Sequence, residues 1–307
     1  MEATQVIGTR ARARRWRSLR KIGIAYLFLL PAFVILGTFL VYPLFASIWY
    51  SFTDYNVVHA ARFVGLANYQ KLLSDDVFKT AFRNTLVYSV GVIPGCTILG
   101  LLLALLVNQP MKGITFFRIA YYMPVITSIV VVGIVWKWMY FEDGIINSML
   151  RGLSLIAKPI PFLSSPSIAL YAIMAVTIWK AAGYYMVLYL AGLQSLPREL
   201  DEAAMIDGAN RLQRLWNVTV PLLRPTIALV VVLASIGAMK VFGEIYVMTS
   251  GGPADRTTTL VYYVYKQAFV FLSMGYASSI AVVLFLFLIV LSVLNIKVSE
   301  RGGTVNY

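Results

Sequence analysis

Residues 199–225 read ELDEAAMIDGANRLQRLWNVTVPLLRP. The segment lies between two long apolar runs, yet it carries Glu199, Asp201, Glu202, Asp207, Arg211, Arg214 and Arg224. So many charges are too costly to place in hydrocarbon, and the segment reads as an aqueous loop between two membrane spans. It also encodes structure of its own. Pro197 suits a first helical turn, Glu199, Asp201 and Glu202 suit the positive end of a helix dipole, and Gly208 is a ready C-terminal stop. These signals predict a short helix over 196–206. Leu200, Ala203 and Ala204 then fall at i, i+3 and i+4, a narrow face whose small side chains admit close approach of another surface. Asn210 with Gln213 predicts a capping box opening a second helix, which carries Leu212, Leu215 and Trp216 on one side until Pro221 ends it. Two short helices joined at Asp207-Gly208 make an elbow.

The rest of the chain supplies the membrane that this loop implies. Of 307 residues, 60% are hydrophobic and 13% charged, against about 25% charged in a soluble domain. The chain is therefore expected to be an all-α polytopic membrane protein. The net charge is +13, but the cations flank apolar runs as topology signals do, so no nucleic-acid partner is expected and the partner is membrane lipid. The single cysteine, Cys96, lies within an apolar run. One cysteine excludes an internal disulfide and a cysteine-built metal site.

Six runs are long enough to cross a bilayer at about 1.5 Å per residue. They lie near 24–48, 84–107, 119–140, 168–192, 222–248 and 276–296. Pro31, Pro43, Pro94 and Pro124 predict kinks in them. The arginine-rich stretch Arg10–Lys21 precedes the first run without a clear small-x-small cleavage site, so it reads as an uncleaved anchor. The expected organisation is a basic cytosolic arm (1–23), a six-span domain (24–296) and a cytosolic tail (297–307). With the N-terminus inside, cytosolic segments hold fifteen Lys and Arg, outer segments eight and the spans three, of the 26 in the chain. That asymmetry places both termini and the elbow in the cytosol. In the first outer loop, a helix from Asn68 to Phe82 is expected to lie along the membrane surface. His59, the one histidine, reads as solvated there.

Glu202-Ala203-Ala204, Asp207-Gly208-Ala209, Val218, Val220 and Pro221 resemble, at fixed spacing, the EAA signature of permease subunits in binding-protein-dependent ABC importers. Phe63-Val64-Gly65-Leu66 with Asn68-Tyr69, Asn84-Thr85, Pro124, Gly144 with Asn147, and the block from Tyr246 to Ala277 are similar to the maltose and glycerol-3-phosphate type within that family. The likeness spans about Ala25 to Lys297. It implies six spans, with the loop between the fourth and fifth forming a coupling helix that docks in a cleft of a cytosolic ATPase. Glu199, Leu200, Glu202, Ala203, Ala204, Asp207, Gly208, Ala209 and Pro221 are the residues it points to for that contact. Glu202 and Asp207 are expected to anchor the elbow by charge-assisted hydrogen bonds. The implied partners are a second permease subunit, two ATPase subunits and an extracytoplasmic solute-binding protein, in a bacterial inner membrane. ATP and Mg would be bound by the ATPase, and no cofactor by this chain.

Charges inside spans need a partner or water. Lys240 and Glu244 stand four apart in the fifth span, where they either line a watery passage or satisfy each other. Lys180, followed by Gly183, Tyr184 and Tyr185, offers a cation and aromatic faces of the kind that hold sugars, although packing and snorkelling are the bland alternatives. The family likeness adds Thr127, Ser128, Ala238 and Val241 as passage positions.

No Walker A loop, H-E-x-x-H, G-x-S-x-G or paired-cysteine motif occurs, so the chain reads as a non-catalytic subunit whose energy comes from another polypeptide. The competing class is a stand-alone ion-coupled carrier, which typically shows repeated halves with matching broken helices. No such repeat is found. Aromatic groups point to a neutral sugar, while Lys180 and Lys240 leave glycerol-3-phosphate or a related phosphoester open.

Overall fold

A computed structural model of the chain describes residues 26–300. The basic arm at 1–23 and the tail beyond 300 lie outside the described residues. Helix α1 (Tyr26–Tyr50) is apolar throughout and has none of its membrane-length window buried in the protein. Its backbone widens into a π-type turn at Gly37–Val41, just ahead of Pro43. Proline has no N–H to continue the i→i−4 ladder, and a widened turn absorbs the lost bond.

A two-residue antiparallel ladder follows, β1 (Thr53–Asp54) on β2 (Arg62–Phe63), the one strand pairing among the described residues of an otherwise helical chain. Next come α2 (Ala67–Ser74) and α3 (Asp76–Val107). The surface helix expected over 68–82 is thus split at Asp75. The cause is a cap: Asp75 turns extended and its Oδ1 accepts from Val77 N at 2.9 Å and Phe78 N at 3.1 Å, starting a new helix there.

Helices α4 (Ile114–Ile126) and α5 (Ile129–Met139) meet at 96°. The third span was expected as one kinked helix and is instead broken at Thr127-Ser128, both extended. Pro124 removes one ladder donor, and the Thr127 hydroxyl donates to Met123 O at 3.0 Å, taking an acceptor the next turn would have used. Short α6 (Ile145–Gly152) leads to α7 (Ala169–Gln194). The elbow holds α8 (Arg198–Ile206) and α9 (Arg211–Arg214). The chain then passes through a π-type turn, Leu215–Thr219, into α10 (Val220–Leu222) and α11 (Arg224–Met239). Pro221 was expected to end the second elbow helix. The widened turn before it lets helical backbone continue instead.

The fifth span is interrupted at 240–242 before α12 (Gly243–Met248), and the chain closes with α13 (Leu260–Tyr265) and α14 (Met274–Glu300). Five of these segments are long and apolar enough to cross a membrane, or six if the bent pair α4–α5 is one span.

The core is the α3–α7 contact, with α11 and α12 packed on it. A Cβ at Gly95 would come within 2.4 Å of Ile178 Cδ1, and one at Gly100 within 2.7 Å of Tyr185 Cβ. Small residues let the two backbones approach, as helices do in lipid where hydrophobicity alone cannot drive association. The contacts advance together along both helices, so α3 and α7 run parallel. Tyr88, Cys96, Ile173 and Tyr189 fill the seam.

Candidate functional site

The elbow forms from purely local instructions. At its bend Gly208 takes φ +81°, Gly208 N donates to Met205 O at 3.1 Å, and Ala209 N donates to Ala204 O at 3.0 Å. That pair of bonds closes α8 on a left-handed glycine. The capping box is present: Gln213 N donates to Asn210 Oδ1 at 2.9 Å and Asn210 N to Gln213 Oε1 at 2.8 Å. Glu199, Leu200, Glu202, Ala203, Asp207 and Gly208 are exposed, while Ala204, Ala209 and Pro221 are half-buried. Glu202 and Asp207, expected to anchor the elbow, make no side-chain hydrogen bond or ion pair among the described residues. The internal anchor is Asp201, whose Oδ2 accepts from Arg214 Nη1 at 2.6 Å. Around the small-residue face stand exposed Ile206, Leu212 and Trp216.

A second site lies within the bundle. A cleft of about 270 Å³ is lined by Tyr88 of α3, Thr177 and Lys180 of α7, Ile129 at the start of α5, Gly237 of α11, and the interrupted segment Lys240 to Glu244. Two helix breaks border it, and each leaves carbonyls that no ladder N–H reaches. Those must find partners in a membrane. Lys180 Nζ donates to Val125 O at 3.2 Å, placing a cation at the negative end of α4. Thr259 Oγ1 donates to Val241 O at 3.2 Å. Glu244 sits in the first turn of α12, at the positive end of that helix. Tyr88 Oη and Thr177 Oγ1 are 2.6 Å apart on the cleft wall.

Lys180, Lys240, Val241 and Glu244 among the expected passage residues line this cleft. Lys240 and Glu244 do not pair: the interruption between them destroys the i,i+4 geometry. Gly183 is a packing residue, since a Cβ there would fall 2.1 Å from Tyr121 O. Tyr185 is buried in the α3–α7 seam, Tyr184 stacks edge-on against it, and Ala238 is buried in the core. Thr127 and Ser128 form the break without lining the cleft. Tyr88, Ile129, Thr177, Gly237, Phe242 and Gly243 are cleft residues that sequence reasoning missed. Thr177 had a signal, standing three residues before Lys180 on one helical face.

Among the described residues no cluster of His, Cys, Asp or Glu could hold a metal. The chain matches the family model "Binding-protein-dependent transport system inner membrane component" over residues 96–298. It is 35% identical to the sulfoquinovosyl glycerol transport system permease of Agrobacterium fabrum, covering 88% of each chain. It is 34% identical to the lactose transport system permease of Rhizobium radiobacter, covering 88% of this chain and 92% of that one. The fold superimposes with a TM-score of 0.82 and 25% identity on a chain of a bacterial ABC transporter involved in import of the acidic polysaccharide alginate, covering 94% of this chain and 99% of that one. These matches rule against a stand-alone ion-coupled carrier. The chain belongs to the binding-protein-dependent transport family and is the non-catalytic inner-membrane permease subunit of an ABC importer.

Proposed function

We propose that this permease moves a sugar or sugar-like solute into a bacterial cell, and that the elbow is the handle by which a separate cytosolic ATPase drives it. Counting α4–α5 as the third of six spans supports an elbow between the fourth and fifth. The excess of Lys and Arg supports a cytosolic side for it, for the basic arm (1–23) and for the tail (297–307). The observation that carries this reading is the surface of the elbow itself. Leu200, Ile206, Leu212 and Trp216 are 43%, 86%, 64% and 62% exposed around Ala203 and Ala204. Apolar tips on a charged aqueous loop are covered by something, and a narrow alanine face fits a cleft in a partner.

In this reading two ATPase subunits bind ATP and Mg, a second permease completes the passage, and an extracytoplasmic binding protein delivers solute at the far end. Closure of the ATPase dimer draws the elbow, and the spans rock about the cleft. The cleft offers hydroxyl groups on Tyr88 and Thr177 and charges of both signs on Lys180, Lys240 and Glu244. Such a lining suits a polyhydroxylated solute, which donates and accepts in equal measure. The glycoside, disaccharide and polysaccharide named for the similar proteins support a sugar. Lys180 and Lys240 together favour one variant, a sugar or glycerol derivative carrying an anionic group.

The test is cross-linking from Ala204→Cys in native membranes. Cys96 is buried, so the introduced thiol is the reactive one. Capture of a nucleotide-hydrolysing protein is expected. Membranes that import solute while never yielding that adduct would refute the docking reading. Uptake of labelled lactose and glycerol-3-phosphate by the reconstituted importer separates the two solute classes.

A further inference from the structure

The ion pair inside the elbow has a geometry that local stability does not explain. Arg214 Nη1 donates to Asp201 Oδ2 at 2.6 Å, with side chains 17% and 52% exposed respectively. An exposed pair on a flexible loop contributes little. This one differs, because the Arg214 Nε–H is shut away from solvent and meets no acceptor among the described residues. The guanidinium is therefore held in place at the expense of one unmatched donor, where an unconstrained arginine would swing into water.

The pair bridges α8 to α9 across the Gly208 bend, and two routes lead from α8 to the spans. One is the peptide link through Pro197 and Leu196 to the end of α7. The other crosses from Asp201 to Arg214, then follows helical backbone through the π-type turn and α10 to Leu223, which is 1% exposed in the core. Leu223 stands directly before α11, whose far end is the interruption beside the cleft. At the bend itself only backbone bonds hold the chain: beyond its chain neighbours, no atom of the described residues packs within 4 Å of where a Cβ of Gly208 would be.

We propose that Asp201 and Arg214 are positioning residues that stiffen the elbow into a lever, so that movement of α8 reaches α11 and the cleft and is not dissipated by flexing at Gly208. The proposal rests on α8 being the ATPase-docking helix. Without the brace, nucleotide would still be hydrolysed and the cleft would stop responding.

The full importer is reconstituted with a bimane fluorophore on Gly237→Cys, a cleft position, and trapped with ATP and vanadate. Asp201→Asn and Arg214→Met are each expected to cut the trapping-induced emission change about fivefold or more. ATP hydrolysis, ATPase co-purification and melting temperature should stay as in the parent. The exchanged pair, Asp201→Arg with Arg214→Asp, should recover the signal, which a loss of local stability alone would not predict. Full emission changes in both single variants would overturn the brace and leave docking at Ala204 standing. Loss of the ATPase from both single variants would overturn it too, by making the pair part of the docking surface. Failure of the parent complex to hold an ATPase at all would remove both readings together.

Discussion

Two polar connections flank the α11–α12 span, and they are built in opposite ways. The loop at 249–259 is closed on itself. Thr257, Thr258 and Thr259 are fully buried, and the Thr249 and Thr257 hydroxyls are 2.8 Å apart. Asn84 Nδ2 of α3 donates to Asp255 O at 3.2 Å and Thr258 O at 3.0 Å. Lys266 reaches Asp255 at 3.3 Å, and Leu260 N donates to Thr85 Oγ1 at 2.9 Å. The elbow has no buried residue in α8, α9 or α10, and its Asp201–Arg214 and Asn210–Gln213 bonds join it to itself. Polar groups matched inside the chain mark static scaffold. A shaped but uncovered loop marks a surface that another molecule completes.

Substitutions should separate the two by what they damage. Gly251→Ala carries the largest expected loss of stability. Its φ is +84°, and a Cβ would sit 2.5 Å from Thr258 Oγ1 and 2.7 Å from Tyr262 Cε1. Backbone strain and overpacking together cost about 3 kcal/mol, read as a lowered melting temperature in nanodiscs. Asn84→Ala ranks second, at about 2 kcal/mol, since two carbonyls lose their donor. A small effect from either would mean that the loop is not scaffold.

Asp75→Asn follows, at about 1 kcal/mol, and sharpens the comparison through pH. Burial raises the Asp75 carboxyl, but hydrogen bonds from the Tyr263 and Tyr276 hydroxyls and from Phe78 N and Val77 N outweigh it and hold the group below its ordinary value of 3.8. Its contribution is therefore complete above that value and is lost as pH falls through the lower folded value. The stability gap between wild type and Asp75→Asn should persist at neutral pH and close only under strong acid. A gap unchanged by acid would rule out the carboxylate as its source.

Gly208→Val is expected to cost no more than Asp75→Asn, about 1 kcal/mol of left-handed strain, because the added Cβ meets nothing. Insertion and melting should be close to wild type while ATP-driven uptake in proteoliposomes is lost. Normal uptake by this variant, or melting as severe as in Gly251→Ala, would erase the distinction between the two loops.

The elbow was legible because its instructions are neighbours in sequence: Gly208 stops one helix, and Asn210 with Gln213 starts the next. The cleft was only partly legible, because both spans keep a high mean hydropathy across their interruptions despite Thr127, Ser128 and Lys240. Whether a break is tolerated depends on where the freed carbonyls find donors. Val125 finds Lys180 55 residues away and Val241 finds Thr259 18 residues away, and no local pattern reports such pairings. Lys240 and Glu244 misled for the same reason, since i,i+4 arithmetic assumes a helix that the fold does not keep. Asp75 shows the reverse case: as a carboxylate ahead of a new helical turn, it carried a cap signal that taking 68–82 as one helix overrode.

On the proposed reading of the cleft as the solute passage, the hydrogen bond from Lys180 to Val125 constrains how this permease can change its cargo. An ammonium has three hydrogens, and one is committed to the frayed end of α4. Two remain for whatever enters. Exchanging Lys180 for a neutral side chain to suit a new solute would also uncap α4, so drift in preference is steered toward Tyr88, Thr177 and Gly237, whose replacement leaves that helix end sealed.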